Sequence, residues 1–297
     1  MDRISYGGWK NCYRLANRAI ELVVTGDVGP RVIRLATKGG TNLFKEFKEQ
    51  MGKTGGDEWR IYGGHRLWHA PEAKPRSYQP DNEPVDVRET KNGLVLTQQV
   101  ESTTGILKQI AIAIDPTQPH VRVTHRLTNR NLWAVSFAPW ALSVMAPGGM
   151  AIIPLPKKIA HTARLTHVQE WSLWGYTDFA DGRWTLGARY LFFRQNRKLG
   201  PNKLGIAHRE GWVAYQLDGV LFVKRFARQD GATYPDGGVN FETFSNQDFL
   251  EMESLGPLID LAPGKTVKHE ETWSLHRQPR AVRTEKDADK YVRPRVG

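Results

Sequence analysis

Cysteine is nearly absent from this chain of 297 residues: Cys12 is the only one. A single thiol excludes an internal disulfide and any multi-cysteine metal centre, and no motif marks Cys12 as a nucleophile. No run of about 18 apolar residues occurs, and the first ten residues carry Asp2, Arg3 and Lys10 with no apolar stretch of the kind a secretory leader needs. The expectation is a cytoplasmic protein that does not enter a membrane. Amphipathic helical stripes, internal repeats and low-complexity tracts are missing as well, which excludes bundles, solenoids and coiled coils.

What remains is ordinary globular material, 40% apolar and 25% charged, enough for a sizeable core. The formal charge is +11, from 42 Lys and Arg against 31 Asp and Glu. Basic surfaces attract nucleic acid without sequence preference, but here the cations are dispersed among acids and no reading motif accompanies them. No nucleic-acid partner is expected. The one basic-leaning segment is residues 277–297, which alternates in sign and contains Pro279 and Pro294. Its composition points to a solvated, partly disordered tail after a single domain over residues 1–276.

Period-2 alternation recurs along that domain. Ile20, Leu22 and Val24 share a face, and Gly29-Pro30 turns the chain into Val32-Ile33-Arg34-Leu35. Ile106 to Ile114 alternates, passes Asp115-Pro116, and returns through Val121, Val123, His125 and Leu127. Asp218-Gly219, between Val213–Leu217 and Val220–Phe226, is the strongest hairpin signal, because both turn positions tolerate positive φ. The closing strands are read as Phe249 to Leu255 and Val267 to Leu275, joined across Leu261-Ala262-Pro263-Gly264. Many short strands with Gly and Pro punctuation predict an all-β fold, a large antiparallel sandwich or barrel with few short helices. Two irregular segments, residues 45–82 and 154–188, are long enough to be functional loops.

Three motifs carry a resemblance. They are Gly63-Gly64-His65-Arg66-Leu67-Trp68-His69-Ala70-Pro71-Glu72, then Glu251-Met252-Glu253-Ser254-Leu255-Gly256-Pro257, then Leu261-Ala262-Pro263-Gly264 leading into His269-Glu270-Glu271-Thr272-Trp273-Ser274-Leu275. In this order, over about residues 20–275, the chain resembles the galactose mutarotase-like superfamily, to which the aldose 1-epimerases are related. The resemblance implies a β-supersandwich in which a late strand supplies a catalytic glutamate, here Glu253. One departure stands out. The mid-chain histidine motif of the epimerases is matched by Ala138-Pro139-Trp140-Ala141-Leu142, and Trp140 cannot protonate a ring oxygen.

Glu251 and Glu253 lie two apart on a strand and so share a face, which is either a functional face or simply an outer one. Gly63 to Glu72 is read as a Gly-rich loop presenting His65, Arg66, Trp68 and His69 to a polyol, with Glu72 beside them; Arg and His donate to hydroxyls while Trp stacks on a pyranose. The competing reading is a packed loop with Trp68 in the core. His65, His69 and Glu72 also fall at i, i+4 and i+7, but Pro71, the glycines and the Arg66 that replaces a zincin glutamate argue against metal ligation, and no metal or other cofactor is expected. His161, in the second long segment, is a further candidate acid or a solvated loop residue. Trp140 is the candidate stacking platform. Lys224 interrupts the apolar face of Phe222 and Phe226 and needs a pocket or a partner carboxylate. Tyr234, Asp236 and Glu242 follow, and of these Asp236 is read as a hydroxyl acceptor or a turn former.

The function these readings imply is aldose 1-epimerase-like handling of a small sugar or oligosaccharide. Glu253 is the general base, His65, His69 or His161 the acid, and Arg66, Trp68, Glu72, Trp140, Lys224, Asp236 and Glu251 the binding residues. A non-catalytic sugar-binding module, or a lyase or hydrolase on the same sandwich, stays open beside it.

Overall fold

The structure, a computed structural model, describes residues 1–296. Two large sheets stack face to face. The first runs Asp2–Tyr6, Trp9–Ala16, Ile20–Thr25, Arg31–Thr37, Gly64–Ala70, Val135–Met145, Leu250–Leu255, Phe241–Ser245, Asn202–Ile206 and Trp171–Leu173 in spatial order, with Ile259–Leu261 also paired to Val135–Met145. The second runs Trp184–Leu186, Tyr190–Arg194, Met150–Pro154, Trp212–Leu217, Val220–Phe226, Thr266–Arg277, His120–Asn129, Ile106–Ile114, Gly93–Thr97 and Asp86–Thr90. Every strand pairing among the described residues is antiparallel. Helix is confined to short turns. The fold is an all-β sandwich, as the alternation predicts.

Alternation explains the core. In Ile106–Ile114 the buried positions are Ile106, Lys108, Ile110, Ile112 and Ile114, one residue in two, and Lys108 is tolerated because it pairs with Glu101. Leu22, Leu67, Met145, Met252 and Phe241 from the first sheet meet Ile110, Val123, Phe222, Trp273 and Leu275 from the second in one cluster. Each such side chain contributes roughly 1.5–3 kcal/mol by leaving water. Asp218 (φ 46°) and Gly219 (φ 74°) form the tight turn between Leu217 and Val220, which are paired.

Two expectations need correction. Gly64–Ala70 is a strand, not a loop; it is buried on both faces, so no polar alternation betrays it. The closing strands Leu250–Leu255 and Thr266–Arg277 belong to different sheets, and the chain crosses between them through Ile259–Leu261 and the turn that follows it. The C-terminal segment is docked rather than solvated. Val282, Ala288, Val292 and Val296 pack against Met150, Ile152, Phe192, Ala214, Leu221 and Val223, covering an apolar outer face of the second sheet. Glu285 fastens it by accepting from the Arg189 and Tyr190 amides at 2.6 and 3.1 Å, and Asp289 accepts from the Tyr190 hydroxyl at 2.8 Å. No helix among the described residues is long and apolar enough to cross a membrane.

Candidate functional site

Register on the first sheet decides which residues meet. Leu142 stands opposite Arg66 on one side and Glu253 on the other, and Glu253 in turn stands opposite Glu242. One step along, Trp140 lies between Trp68 and Leu255; one step the other way, Glu251 lies between Val144 and Phe244. Because the side-chain period of a strand is two, Arg66, Trp68, Trp140, Glu242, Glu251 and Glu253 share the face turned away from the second sheet. Lys203 projects onto it from Asn202–Ile206. Its neighbour Gly205 leaves room for the roof, since a Cβ there would stand 3.2 Å from the Trp174 ring.

The polar groups of this face are buried. Glu253 and Glu242 are each 1% exposed and Lys203 6%. Trp140 Nε1 donates to Glu253 Oε2 at 2.8 Å, and Lys203 Nζ lies 3.4 Å from that oxygen and 2.6 Å from Glu242 Oε2. Arg66 Nη2 donates to Glu251 Oε1 at 3.2 Å. Arg66 rests 4.7 Å above the Trp68 ring and 5.7 Å from Trp59, while Lys203 lies 5.1 Å from Trp140 and 4.6 Å from Trp174. Trp59, Trp68, Tyr78 and Trp140 touch edge-on or tilted at 5.2–5.7 Å. Left without a hydrogen-bond partner are Glu253 Oε1, Glu242 Oε1 and the Nε and Nη1 of Arg66. Buried polar atoms are seldom orphaned, and these lie on one face of the sheet.

Burial shapes the charges. Desolvation pushes Glu251 up to about 7 against the pull of Arg66, and the nearby Glu253 adds to the rise. Burial raises Glu242 well above the ordinary carboxylate value, more than Lys203 can offset. For Lys203 burial acts against the charge, but Glu253 and Glu242 outweigh it and hold the ammonium above its usual value.

The structure places Glu251, Glu253, Arg66, Trp68 and Trp140 on this one face, and Glu72 is exposed and hydrogen-bonded by the Tyr78 hydroxyl. Trp140 is a hydrogen-bond donor to Glu253 as well as an aromatic wall. Asp236 adopts the left-handed turn (φ 51°), and its carbonyl accepts from Ser172. His161 lies exposed in its loop.

His65, His69 and Lys224 do not belong to this face. In a strand they alternate with Arg66 and Trp68, so His65 and His69 turn inward between the sheets; His69 packs on Phe137, 5.7 Å between ring centroids. Lys224 Nζ donates to the Met252 carbonyl at 2.9 Å and pairs with Glu271 Oε1 at 2.9 Å, both side chains 0% exposed. Around them runs a closed network. His125 Nδ1 donates to the His269 carbonyl at 3.0 Å, which leaves its Nε2 to accept from His65 Nε2 at 2.7 Å and His65 Nδ1 to accept from Ser143 at 2.8 Å. His269 Nε2 donates to Ser254 at 2.6 Å, Ser254 donates to Glu271 Oε1 at 2.5 Å, and Trp273 Nε1 donates to Glu271 Oε2 at 2.7 Å. His65, His125 and Glu271 hold donor atoms within 4.8 Å of one another, types that suit a divalent transition metal. Here each ring nitrogen already has its hydrogen bond and Lys224 neutralises Glu271, so the arrangement is complete without an ion.

Sequence reasoning did not choose Lys203, Glu242, Trp59, Trp174 or Tyr78. Glu242 was within reach, because folding the hairpin about Asn246 to Phe249 places it directly across from Glu253.

No family model matches the chain, and no curated protein matches it in sequence. Solved structures do. A galactose mutarotase-like protein from Lactobacillus casei superposes with a TM-score of 0.60 at 10% identity, over 90% of this chain and 100% of its own. The Slr1438 protein of Synechocystis sp. PCC 6803 gives 0.59 at 13% identity, over 94% and 100%. A galactose mutarotase related enzyme from Lactobacillus acidophilus gives 0.58 at 10%, over 92% and 100%. The fold is therefore the galactose mutarotase-like β-sandwich, carried here by a sequence far from those neighbours.

Proposed function

We propose that the protein handles a sugar on this face and interconverts its anomers, with Glu253 as general base. The observation that supports this best is the division of labour on one carboxylate. Oε2 of Glu253 is held by Trp140 and Lys203, while Oε1 is unpartnered on a face walled by Trp68, Trp140 and Trp174 and supplied with free Arg66 donors. Aromatic walls take the apolar side of a pyranose and the Arg66 N–H groups take hydroxyls, leaving Oε1 for the anomeric O–H. The fold adds an analogy only, since one superfold hosts many activities. No cofactor is called for by this chemistry.

A non-catalytic sugar-binding protein is the second reading, and one observation favours it: the face carries no histidine, with His65 and His69 turned inward. Glu253→Gln separates the two. Gln keeps the size and the acceptor for Trp140 but takes no proton near neutral pH, so anomer interconversion followed by polarimetry should fall by about 10²–10⁴-fold, while sugar binding, read from tryptophan fluorescence, persists. A variant as fast as wild type removes the base role. A wild type that binds an aldose without accelerating its mutarotation makes the protein a binder.

A further inference from the structure

The two oxygens that exchange protons in mutarotation, the ring oxygen and the anomeric hydroxyl, are bonded to the same carbon. An acid and a base serving them must therefore stand side by side. Glu242 and Glu253 do: they are direct cross-strand partners of the hairpin Phe241–Ser245/Leu250–Leu255, a position that sets Cβ atoms about 4.5–5.5 Å apart. Each turns Oε2 toward the Lys203 ammonium, at 2.6 and 3.4 Å, and each leaves Oε1 without a partner.

Charge then limits what the trio can be. Two carboxylates and one ammonium, all at most 6% exposed, carry an uncompensated buried negative charge when fully ionised. Such a charge is strongly disfavoured away from water, and two carboxylates sharing a site cannot both ionise easily. One proton bound to the pair makes the trio neutral.

We propose, resting on the reading of Glu253 as base, that Glu242 is the missing proton donor: the pair holds one proton at neutral pH, stored on Glu242, with Lys203 bridging both. When Glu253 Oε1 takes the proton of the anomeric hydroxyl, Glu242 gives its own to the ring oxygen. The bond from C1 to the ring oxygen breaks, and its electrons stay on that oxygen. The lone pair released on the anomeric oxygen closes the carbonyl. Protons and charge balance, with Glu253 now carrying the proton and Glu242 ionised. After rotation about C1–C2 the same steps in reverse restore the starting state, so no outside acid or oxidant is needed.

The surroundings agree. Burial lifts the proton affinity of Glu242, Glu253 and Asp236 reinforce it, and Lys203 opposes it. Arg66 and Glu251, paired at 3.2 Å, face the trio from the neighbouring strands, and Glu251 too is raised by burial.

The test reads the proton and the rate separately. Protein labelled with ¹³C at glutamate carboxyl carbons is titrated by NMR, the Glu242 signal assigned through Glu242→Asp, and Glu242→Gln is followed by polarimetry and melting. The expected result is a Glu242 carboxyl still protonated at neutral pH. Glu242→Gln, an isostere of that protonated form, should keep the wild-type melting temperature and sugar binding while mutarotation drops about 10²–10⁴-fold. Glu242 found ionised at neutral pH, or Glu242→Gln as fast as wild type, overturns the proposal. So does a melting temperature that falls sharply in Glu242→Gln, which would make Glu242 the ionised counter-charge of Lys203. Wild type inactive on every aldose with Glu242 protonated all the same sinks the epimerase reading and leaves the shared-proton pair in place.

Discussion

His269 lies between the sheets with its Nε2 on the Ser254 hydroxyl, and burial holds its pKa down at about 3; His208, donating to the Trp212 carbonyl, is held at about 4, and His65, His69 and His125 are lowered by the same burial. In the unfolded chain these rings take up a proton near pH 6.5, whereas the native state keeps them neutral. Below that pH the unfolded state binds more protons, so stability falls as pH falls, by up to about 1.4 kcal/mol per pH unit for each ring. The loss continues down to each ring's native pKa. Below about pH 4.5 the lowered Glu271 carboxyl adds its own loss: its contribution is complete where both states are ionised and drains away as the unfolded glutamate takes up a proton that the native one, held by Lys224, does not. Urea unfolding at pH 7 and pH 5 should thus give a lower stability at pH 5, the five rings outweighing Glu242 and Glu251, whose raised carboxyls bind protons in the native state first and offset part of the loss. His269→Gln, which can still donate to Ser254, should flatten the slope by about one proton. A slope unchanged from pH 7 to 5 would contradict the neutral native assignment. At this scale the sequence was half legible. Phe222-Val223-Lys224-Arg225-Phe226 announced that Lys224 needed a carboxylate, but Glu271 lies on a strand 47 residues on and only tertiary pairing brings it across.

Hairpins were legible wherever both strands and the turn are contiguous, as at Asp218-Gly219, since local φ preferences and alternation agree there. Gly64–Ala70 was not, because a central strand covered on both faces shows no polar period, and reading it as a loop put His65 and Arg66 on the same side. Lys203 was out of reach for a related reason: Asn202–Ile206 pairs with Phe241–Ser245 across a long sequence gap, and nothing in five residues points to that partner. The C-terminal segment was misread from composition. Its charges are real, yet Val282, Ala288, Val292 and Val296 are spaced to cover the second sheet, and Thr284 and Asp287 cap the turn that carries them. Deleting residues 279–297 should therefore uncover a contiguous apolar face around Met150, Ile152, Phe192, Leu221 and Val223. The expected outcome is a lower melting temperature, at roughly 1.5–3 kcal/mol for each large side chain no longer shielded, with new binding of the dye ANS and aggregation on concentration. A truncated chain that melts like the full one and binds no dye would show that the segment contributes nothing to the fold.

The whole molecule carries a formal +11, and some of its unpaired cations line one edge of the sandwich, away from the face of Glu253. Three adjoining hollows of about 410, 500 and 490 Å³ share Thr37, Lys38 and Arg277 and then Leu217, Asp218, Gly219 and Pro279 along their length. Arg18, Lys38, Arg194, Arg277, Arg283 and Arg295 line them, and among the described residues none of the six pairs with a carboxylate. This edge has the means to attract a polyanion, but among the described residues no Phe, Tyr or Trp lines the hollows and His276 is the one aromatic ring there, so base stacking, worth about 1–3 kcal/mol per base, has little to build on. Nucleic acid bound here is expected to be held mainly by charge. Binding by charge is counterion release, which loses about 10³–10⁵ in affinity between 50 and 200 mM salt when six to ten phosphates are contacted. In a gel shift, a mixed-sequence oligonucleotide should be retarded weakly at 50 mM salt, equally for unrelated sequences, and run free at about 200 mM. Replacing Lys38, Arg277 and Arg295 by Gln should abolish the low-salt shift while leaving the proposed anomer interconversion untouched, since none of the three lies on the face of Glu253. Saturable, sequence-dependent binding that persists at about 200 mM salt would mean that this edge reads nucleic acid, and that the charge of the molecule serves a second task unconnected with Glu253.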